Sequence, residues 1–334
     1  MKNRNSHQQE LNYVKSHAPL LQYVEGCNFD EWRERVRVKL NELLGLPLES
    51  CDPMLEIEQT EKRDGYTEYK FTVQTEPGYF VPCYLLIPDL NKDKYPLTVC
   101  LSGHGGGMHV AVGISKTDDD TAALTSWHHR AIGLRAIRDG RAALAIEARN
   151  FGESSLKGYG TSCTEASKIA ILMGRTTIGE RVSDAMRILD AALERFNIID
   201  ATDIACTGNS GGGTATYYLA CLDERIGTAA PSCSICTYEA SIIAMQHCMC
   251  NHIPGIRKYF EMCDLAGLIA PRKLVVAAGM LDDIFPIGAT RENFKKIEAI
   301  YSAAGASDRC ALVVGDKGHL NYADLIWAKV AEMN

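Results

Sequence analysis

A serine stands in a glycine-rich turn near the middle of the chain, within the sequence GNSGG at 208–212. The apolar run 204–207 precedes this turn and a helical pattern over 214–220 follows it, so the turn connects a strand to a helix. In that context small residues at Gly208 and Gly212 let the turn pack and force the hydroxyl of Ser210 outward. The expected chemistry is nucleophilic attack on a carbonyl carbon, with the amide of Gly211 donating to the oxyanion. The alternative is a glycine-rich turn with an incidental serine.

A serine nucleophile of this kind requires a carboxylate and a histidine further along the chain, each just after a strand. The apolar run 274–278 leads to Asp282 and Asp283, and the run 311–314 leads to His319. We expect His319 to take the proton of Ser210 and Asp282 to orient the imidazole. Asp282 is preferred because Asp283, next to Ile-Phe-Pro, is better suited to support its loop. Asp316 shares a short loop with His319, where the two side chains would rarely align.

The second oxyanion donor is expected in the sequence SGHGGGM at 102–108, which follows the apolar run 97–101. Three successive glycines allow the backbone to turn an N–H group toward a substrate carbonyl. The amides of His104 and Gly105 are the candidates, and a plain flexible loop is the alternative. A phosphate loop is excluded because no Lys-Ser or Lys-Thr follows, and a dinucleotide pattern breaks at Met108.

Thirteen cysteines raise the question of disulfide bonds or a metal. Their odd number and the length of the chain favour reduced thiols. Several lie in apolar runs, where cysteine behaves as a small hydrophobic residue: Cys83, Cys100, Cys206 and Cys221. Zinc is the alternative, because Cys233 and Cys236 form a C-x-x-C pair and HCMCNH at 247–252 holds four potential ligands. We expect no metal and no cofactor, since a closed zinc site usually shows two well-spaced ligand pairs.

The segment 233–260 is too long for a simple connection between two strands, and we expect this insert to fold over the site. It contributes four candidate pocket residues: Tyr238, Met245, His247 and Tyr259. Trp127, in a predicted helix after the glycine loop, is a further candidate.

The elements that must position these groups belong to an α/β fold. From residue 96 onward short apolar runs alternate with helical segments, which is typical of parallel strands buried on both faces. These runs lie at 97–101, 142–146, 204–207, 228–230, 274–278 and 311–314. Before that, the runs 54–58, 69–73 and 80–88 are separated by turn residues and predict antiparallel strands. Residues 1–50 are predicted to form an N-terminal helical extension, in which a helix from Phe29 ends before Gly45-Leu46-Pro47. Residues 51–334 are predicted to form one catalytic domain.

Composition and charge limit the classes of molecule that the chain is expected to bind. The chain has 334 residues and a formal net charge of −7, without the basic patch that nucleic acid requires. It contains no apolar stretch of about 18 residues, and its polar first ten residues lead us to expect no N-terminal signal sequence. We therefore expect a small-molecule substrate, no nucleic acid, no membrane and a cytoplasmic location; nothing in the sequence indicates an oligomeric state.

The motifs together resemble the α/β-hydrolase superfamily, and within it the bacterial branch of acetyl xylan esterase-like and dienelactone hydrolase-like proteins. The resemblance covers roughly residues 50–334. It rests on LSGHGG at 101–106, EARNFGES at 147–154, GNSGG at 208–212, LIAPR at 268–272, GMLDDIFP at 279–286 and Gly-His at 318–319. The resemblance places Ser210, Asp282 and His319 as nucleophile, acid and base.

The resemblance implies an α/β-hydrolase fold, with helices on both faces of the sheet, and a serine carboxylesterase that acts on short-chain esters, acetylated sugars being the leading class. Two departures qualify it. Many relatives carry His-Gly where this chain has Ser102-Gly103, and dienelactone hydrolases proper use a cysteine nucleophile, which Ser210 replaces here. The alternatives are a serine peptidase or amidase acting on short peptides or amides, and a non-catalytic binding protein with the hydrolase fold.

Overall fold

One sheet organises the chain. The computed structural model describes residues 4–126 and 130–333, and within them nine strands form a single sheet. In chain order the strands are β1 (Glu56–Arg63), β2 (Tyr66–Glu76), β3 (Tyr79–Pro88), β4 (Tyr95–Leu101), β5 (Ala142–Ile146), β6 (Ile199–Asn209), β7 (Ile226–Ser232), β8 (Lys273–Gly279) and β9 (Cys310–Gly315). Across the sheet their order is β1-β2-β3-β5-β4-β6-β7-β8-β9.

The sheet is antiparallel at one end and parallel elsewhere. Strands β1, β2 and β3 pair antiparallel, and β3 also pairs antiparallel with β5. From β5 through β4 to β9 every pairing is parallel. The tight turns before β2 and β3 contain Gly65 and Gly78, whose φ angles of 82° and 79° favour glycine. The predicted fold class is confirmed.

Helices cover both faces of the sheet. They are α1 (Ser6–Ser16), α2 (Phe29–Leu44), α3 (Met108–Ala111), α4 (Asp118–Ser126), α5 (Ile132–Arg138), α6 (Cys163–Leu172), α7 (Thr177–Arg195), α8 (Gly211–Leu222), α9 (Ile256–Tyr259), α10 (Ile287–Ala303) and α11 (Ala323–Glu332). Short 3₁₀ turns occupy Gly152–Ser154, Met249–Asn251, Met262–Leu268 and Ser307–Arg309, and a π-helical turn occupies Glu239–Ile243. In the described ranges no helix is both long and apolar enough to cross a membrane.

The two-residue period of the strands divides the core. Leu85 and Leu97 belong to the main core, which α2, α7, α8 and α10 complete. Leu86 and Cys100, on the opposite face, pack with α3 and α5, while α11 covers β7 to β9 on that face. Strands buried on both faces carry continuous apolar runs, which explains the pattern seen in the sequence.

The predicted helix after Phe29 is confirmed as α2, which ends at Gly45 with φ 76°. Its buried face, Trp32, Val36, Leu40 and Leu44, belongs to the main core. The division of the chain at residue 50 stays a prediction.

Candidate active site

Ser210 occupies the sharp turn between β6 and α8. Its φ and ψ angles of 57° and −122° place it outside the regions that L-residues favour, which stores strain at this position. Hydrogen bonds hold it there: its N–H donates to the carbonyl of Ser232 over 2.9 Å, and its carbonyl accepts from the Thr214 N–H over 2.8 Å. A Cβ atom on Gly212 would lie 2.0 Å from the Leu101 carbonyl oxygen, so only glycine lets β4 and the turn approach this closely.

Asp282 and His319 meet at the same edge of the sheet, after β8 and β9. The His319 Nδ1 and Asp282 Oδ2 atoms are 2.9 Å apart, and the other carboxylate oxygen accepts from the N–H groups of Ile284 and Phe285. Burial acts to raise the pKa of Asp282, but the hydrogen bonds from His319 and the two backbone amides outweigh it and hold the pKa below its usual value. Asp282 is therefore a carboxylate at neutral pH. Asp283, the alternative, is exposed.

The second nitrogen of His319 faces no protein partner. Nε2 is buried and makes no hydrogen bond to any described residue, Ser210 included. His319 and Ser210 nevertheless line the same cavity. Hydrogen bonds between a base and its nucleophile are often long without substrate and shorten when it binds. Nε2 therefore has an unused hydrogen-bonding capacity in a residue that shares the cavity with Ser210.

The cavity has a volume of about 300 Å³. Its wall combines groups from the glycine loop, the turn at Ser210 and the insert, including His104, Asn209, Met245 and His247. A small, partly polar cavity of this size suits a small molecule.

The predicted pocket residues divide into three groups. Met245 and His247 line the cavity. Tyr238 and Tyr259 are not among the residues that line this cavity, and Tyr238 instead lines a second, smaller cavity together with Phe285. Tyr238 is buried with its hydroxyl 2.9 Å from that of Tyr218, and Tyr259 lies beside Phe260 against the main core. Both rings bury apolar surface instead of facing the cavity, and Trp127 lies outside the described residues.

His247 lines the cavity with a neutral imidazole. Burial, together with the nearby His104 and His252, lowers the pKa of His247 to about 4, so the imidazole is neutral at neutral pH. Its Nδ1 lies 3.0 Å from Nδ2 of Asn251, which can only donate. The proton therefore resides on Nε2, a buried atom that has no hydrogen-bond partner in the described part of the chain.

The glycine loop passes directly against the serine turn. A Cβ atom on Gly103 would lie 2.3 Å from the Asn209 carbonyl oxygen, and one on Gly211 would lie 2.8 Å from Cε1 of His104. Gly105 has φ 84°, and its carbonyl accepts a hydrogen bond from Arg130. His104 and Gly105 thus lie beside Gly211, as the oxyanion prediction requires, and their donor role stays a prediction.

Three cysteines that the sequence analysis did not place at the site surround His104. Its Nε2 lies 3.3 Å from Sγ of Cys250 and 3.8 Å from Sγ of Cys163, and Cys248 lies 3.3 Å from Cys250. His104 precedes Cys163 by 59 residues and Cys250 by 146, so no local spacing could have united them. The C-x-C pair at 248–250 was the available signal.

Glu147, directly after β5, is a further residue that the sequence analysis did not single out. Its buried carboxyl group accepts hydrogen bonds from the N–H groups of Met108 and Glu153 over 3.2 and 3.1 Å. It therefore connects the glycine loop to the segment after β5. Burial raises the pKa of Glu147 to about 8.

Several known proteins are similar to this chain in sequence or structure. The candidate hydrolase YtaP of Bacillus subtilis strain 168 is 25% identical over 245 residues, which are 72% of this chain and 79% of YtaP. The structure of a candidate acetyl xylan esterase from Bacteroides fragilis matches with a TM-score of 0.78 at 18% identity, over 94% of this chain and 83% of that one. A glucuronoyl esterase from Solibacter usitatus matches with a TM-score of 0.69 at 14% identity, over 95% and 98% of the two chains.

At these identities the two structures establish the fold, and the predicted resemblance to α/β-hydrolases is confirmed. The model of the Abhydrolase family matches residues 5–311, which include the serine turn and Asp282. Because that match covers most of the sequence, the chain belongs to the Abhydrolase family.

Proposed function

We propose that the protein is a serine carboxylesterase that hydrolyses short-chain esters, acetyl esters of sugars above all, through an acyl-enzyme on Ser210. The observation that carries the proposal is the strained Ser210 in the same cavity as His319, whose Nε2 is unpartnered among the described residues and whose Nδ1 lies on Asp282. A serine, a base and an orienting acid are the parts that acyl transfer requires.

Each group has a defined part in the proposed reaction. The Ser210 hydroxyl attacks the ester carbonyl while His319 Nε2 takes its proton, and Asp282 stabilises the resulting imidazolium. The N–H of Gly211, with that of His104 or Gly105, donates to the tetrahedral oxyanion. His319 then returns the proton to the leaving alcohol, and a water molecule deprotonated by His319 releases the acid.

Cavity size and lining support a small, polar substrate. A volume of about 300 Å³ accommodates an acetyl group and one sugar ring more readily than a long acyl chain. Asn209 and His247 offer polar groups that suit sugar hydroxyls. The comparison proteins, a candidate acetyl xylan esterase and a glucuronoyl esterase, carry names that refer to carbohydrate esters.

The test compares wild type with Ser210→Ala on p-nitrophenyl acetate, butyrate and octanoate, on acetylated xylose and on an aminoacyl p-nitroanilide. We expect acetate turnover to exceed octanoate turnover and to fall about 10⁴-fold in Ser210→Ala. Ser234→Ala is the matched control, because this buried hydroxyl lies beside Gly213 and makes no hydrogen bond to any described residue.

Full activity in Ser210→Ala would contradict the mechanism. Cleavage of the anilide in preference to the esters would identify an amidase, and a wild-type protein that cleaves none of these substrates would favour the binding protein.

A further inference from the structure

We propose that His104, Cys163, Cys248 and Cys250 form a structural binding site for one zinc ion in the wall of the candidate active site. One imidazole nitrogen and three sulfur atoms lie within 4.8 Å of one another. Cys₃His is one of the donor sets that zinc takes in closed structural sites.

The distances between the four atoms fit a tetrahedral ion. Zinc lies about 2.3 Å from sulfur and about 2.1 Å from nitrogen, which separates tetrahedral ligand atoms by about 3.5 to 3.8 Å. Here Nε2 of His104 is 3.3 and 3.8 Å from the sulfurs of Cys250 and Cys163, and the sulfurs of Cys248 and Cys250 are 3.3 Å apart. The remaining pairs lie within 4.8 Å, so shifts of about an ångström or less would complete the coordination sphere.

The ligands come from three separate segments. His104 belongs to the glycine loop after β4, Cys163 is the first residue of α6, and Cys248 and Cys250 lie at the 3₁₀ turn of the insert. Phe151 packs against Cys163 and Cys250, and its ring meets that of His104 at a centroid distance of 5.0 Å. Phe151 forms the apolar side of the cluster, while His104 and Cys248 also line the active-site cavity. Four protein ligands would complete a tetrahedral sphere and leave no position for substrate, as in structural zinc sites.

A buried cation beside the cluster supplies an independent observation. The guanidinium of Arg181 donates to the Cys163 sulfur over 3.3 Å and to the carbonyl of Arg149, and it stacks on Phe151 at 4.3 Å. Among the described residues no carboxylate lies within 4.0 Å of it. A buried charge is stabilised by a nearby negative charge, which zinc-bound thiolates would supply. Three thiolates, one Zn²⁺ and one guanidinium sum to zero charge.

Other cysteines of the chain do not compete for this role. Cys233 also lies near Asp282 and His319, but those two side chains bind each other and the Cys233 thiol donates to the Leu320 carbonyl. Cys236 is placed near the Pro286 carbonyl instead. The soft thiolates and the imidazole favour zinc over hard cations such as Mg²⁺ or Ca²⁺.

The ion would fix the glycine loop to the insert behind Gly211, because the His104 ring lies against that residue. This consequence for catalysis rests on the proposed function, whereas the metal site itself does not.

Elemental analysis of the full chain tests the site. Protein produced with zinc in the medium and purified under reducing conditions without chelator should hold about one zinc per chain. Cys163→Ala and Cys248→Ala should lose it. Cys100→Ala should retain it, because Cys100 lies in the sheet with its thiol on the Thr98 carbonyl, away from the cluster.

A second measurement does not depend on how the variants fold. Wild type stripped of zinc and reconstituted with Co²⁺ should show thiolate-to-cobalt charge-transfer absorption and the visible bands of tetrahedral cobalt. Wild type with less than a tenth of an equivalent of zinc and no such spectrum would overturn the proposal, as would zinc that persists in folded Cys163→Ala, or a disulfide within the cluster of the reduced protein. Zinc binding by a protein without esterase activity would contradict the proposed function and leave the metal site standing.

Discussion

The two sides of Ser210 are built differently. On the acid–base side, Asp282 and His319 follow neighbouring parallel strands and bind each other directly over 2.9 Å. On the side where we propose the oxyanion donors, called the oxyanion side below, the loop of His104 contacts residues distant in sequence: Cys163, Cys248 and Cys250 around its imidazole, and Glu147 at its end. Parallel strands deliver side chains to one edge of the sheet through short loops alone. A loop that must turn its amides toward substrate needs support from elsewhere in the chain.

The largest expected effect separates Asp282 from Asp283 on the acid–base side. Asp282→Asn should lower kcat about 10⁴-fold, because the amide favours the wrong imidazole tautomer and no longer stabilises the imidazolium. Asp283→Asn, at an exposed position next to it, should change kcat less than about 2-fold. Steady-state kinetics on p-nitrophenyl acetate measures both, with circular dichroism to establish that each variant is folded. The reverse order of effects would move the acid to Asp283.

This difference also explains what sequence could predict. All nine strands were indicated by apolar or alternating runs, and Ser210, Asp282 and His319 by their positions after such runs. Each of these signals lies within about ten residues, which is the range over which side-chain period and turn chemistry act.

The residues that surround the His104 loop on the oxyanion side are not marked by any comparable short-range pattern. Cys163 begins a helix of ordinary pattern, and only the fold brings it to His104, 59 residues before it. Tyr238 is a second residue whose place in the fold the sequence alone does not determine. An aromatic residue in the insert suits the wall of a cavity as well as a core position, and in the packed structure Tyr238 is both, bonded to Tyr218 in the core and lining a second, smaller cavity.

The free energy of unfolding should depend on pH through Glu147, which is buried on the oxyanion side with a pKa raised to about 8. An acid with a raised folded-state pKa contributes stability that is fully present below its unfolded pKa, near 4.5, and is lost as pH rises through about 8. Between pH 5 and pH 8 the wild-type free energy of unfolding should therefore fall by about 3 kcal/mol more than that of Glu147→Gln.

Urea unfolding at the two pH values measures this difference. Glu10→Gln, at an exposed position in α1, is the control and should follow wild type. Equal pH dependence in wild type and Glu147→Gln would mean that the carboxylate is already ionised at pH 5, stabilised by the N–H groups of Met108 and Glu153.

The smallest expected effect concerns substrate choice at His247, whose neutral imidazole lines the cavity and whose Nε2 has no hydrogen-bond partner among the described residues. One neutral hydrogen bond contributes about 1 kcal/mol, so His247→Ala should raise KM for an acetylated sugar about 5-fold with little change in kcat. With p-nitrophenyl acetate, whose leaving group has no sugar hydroxyls, KM should stay within about 2-fold.

The contrast between these two esters is the control, because both must reach Ser210 through the same cavity. An equal rise in KM for both would mean that His247 acts by shaping the cavity wall. A rise in KM confined to the sugar ester would mean that the two sides of Ser210 have separate functions. Residues after β8 and β9 would carry the chemistry, while the insert that joins His247 to Cys248 would select the alcohol. Substrate preference in this chain would then depend on the segment that the cysteine cluster holds in place.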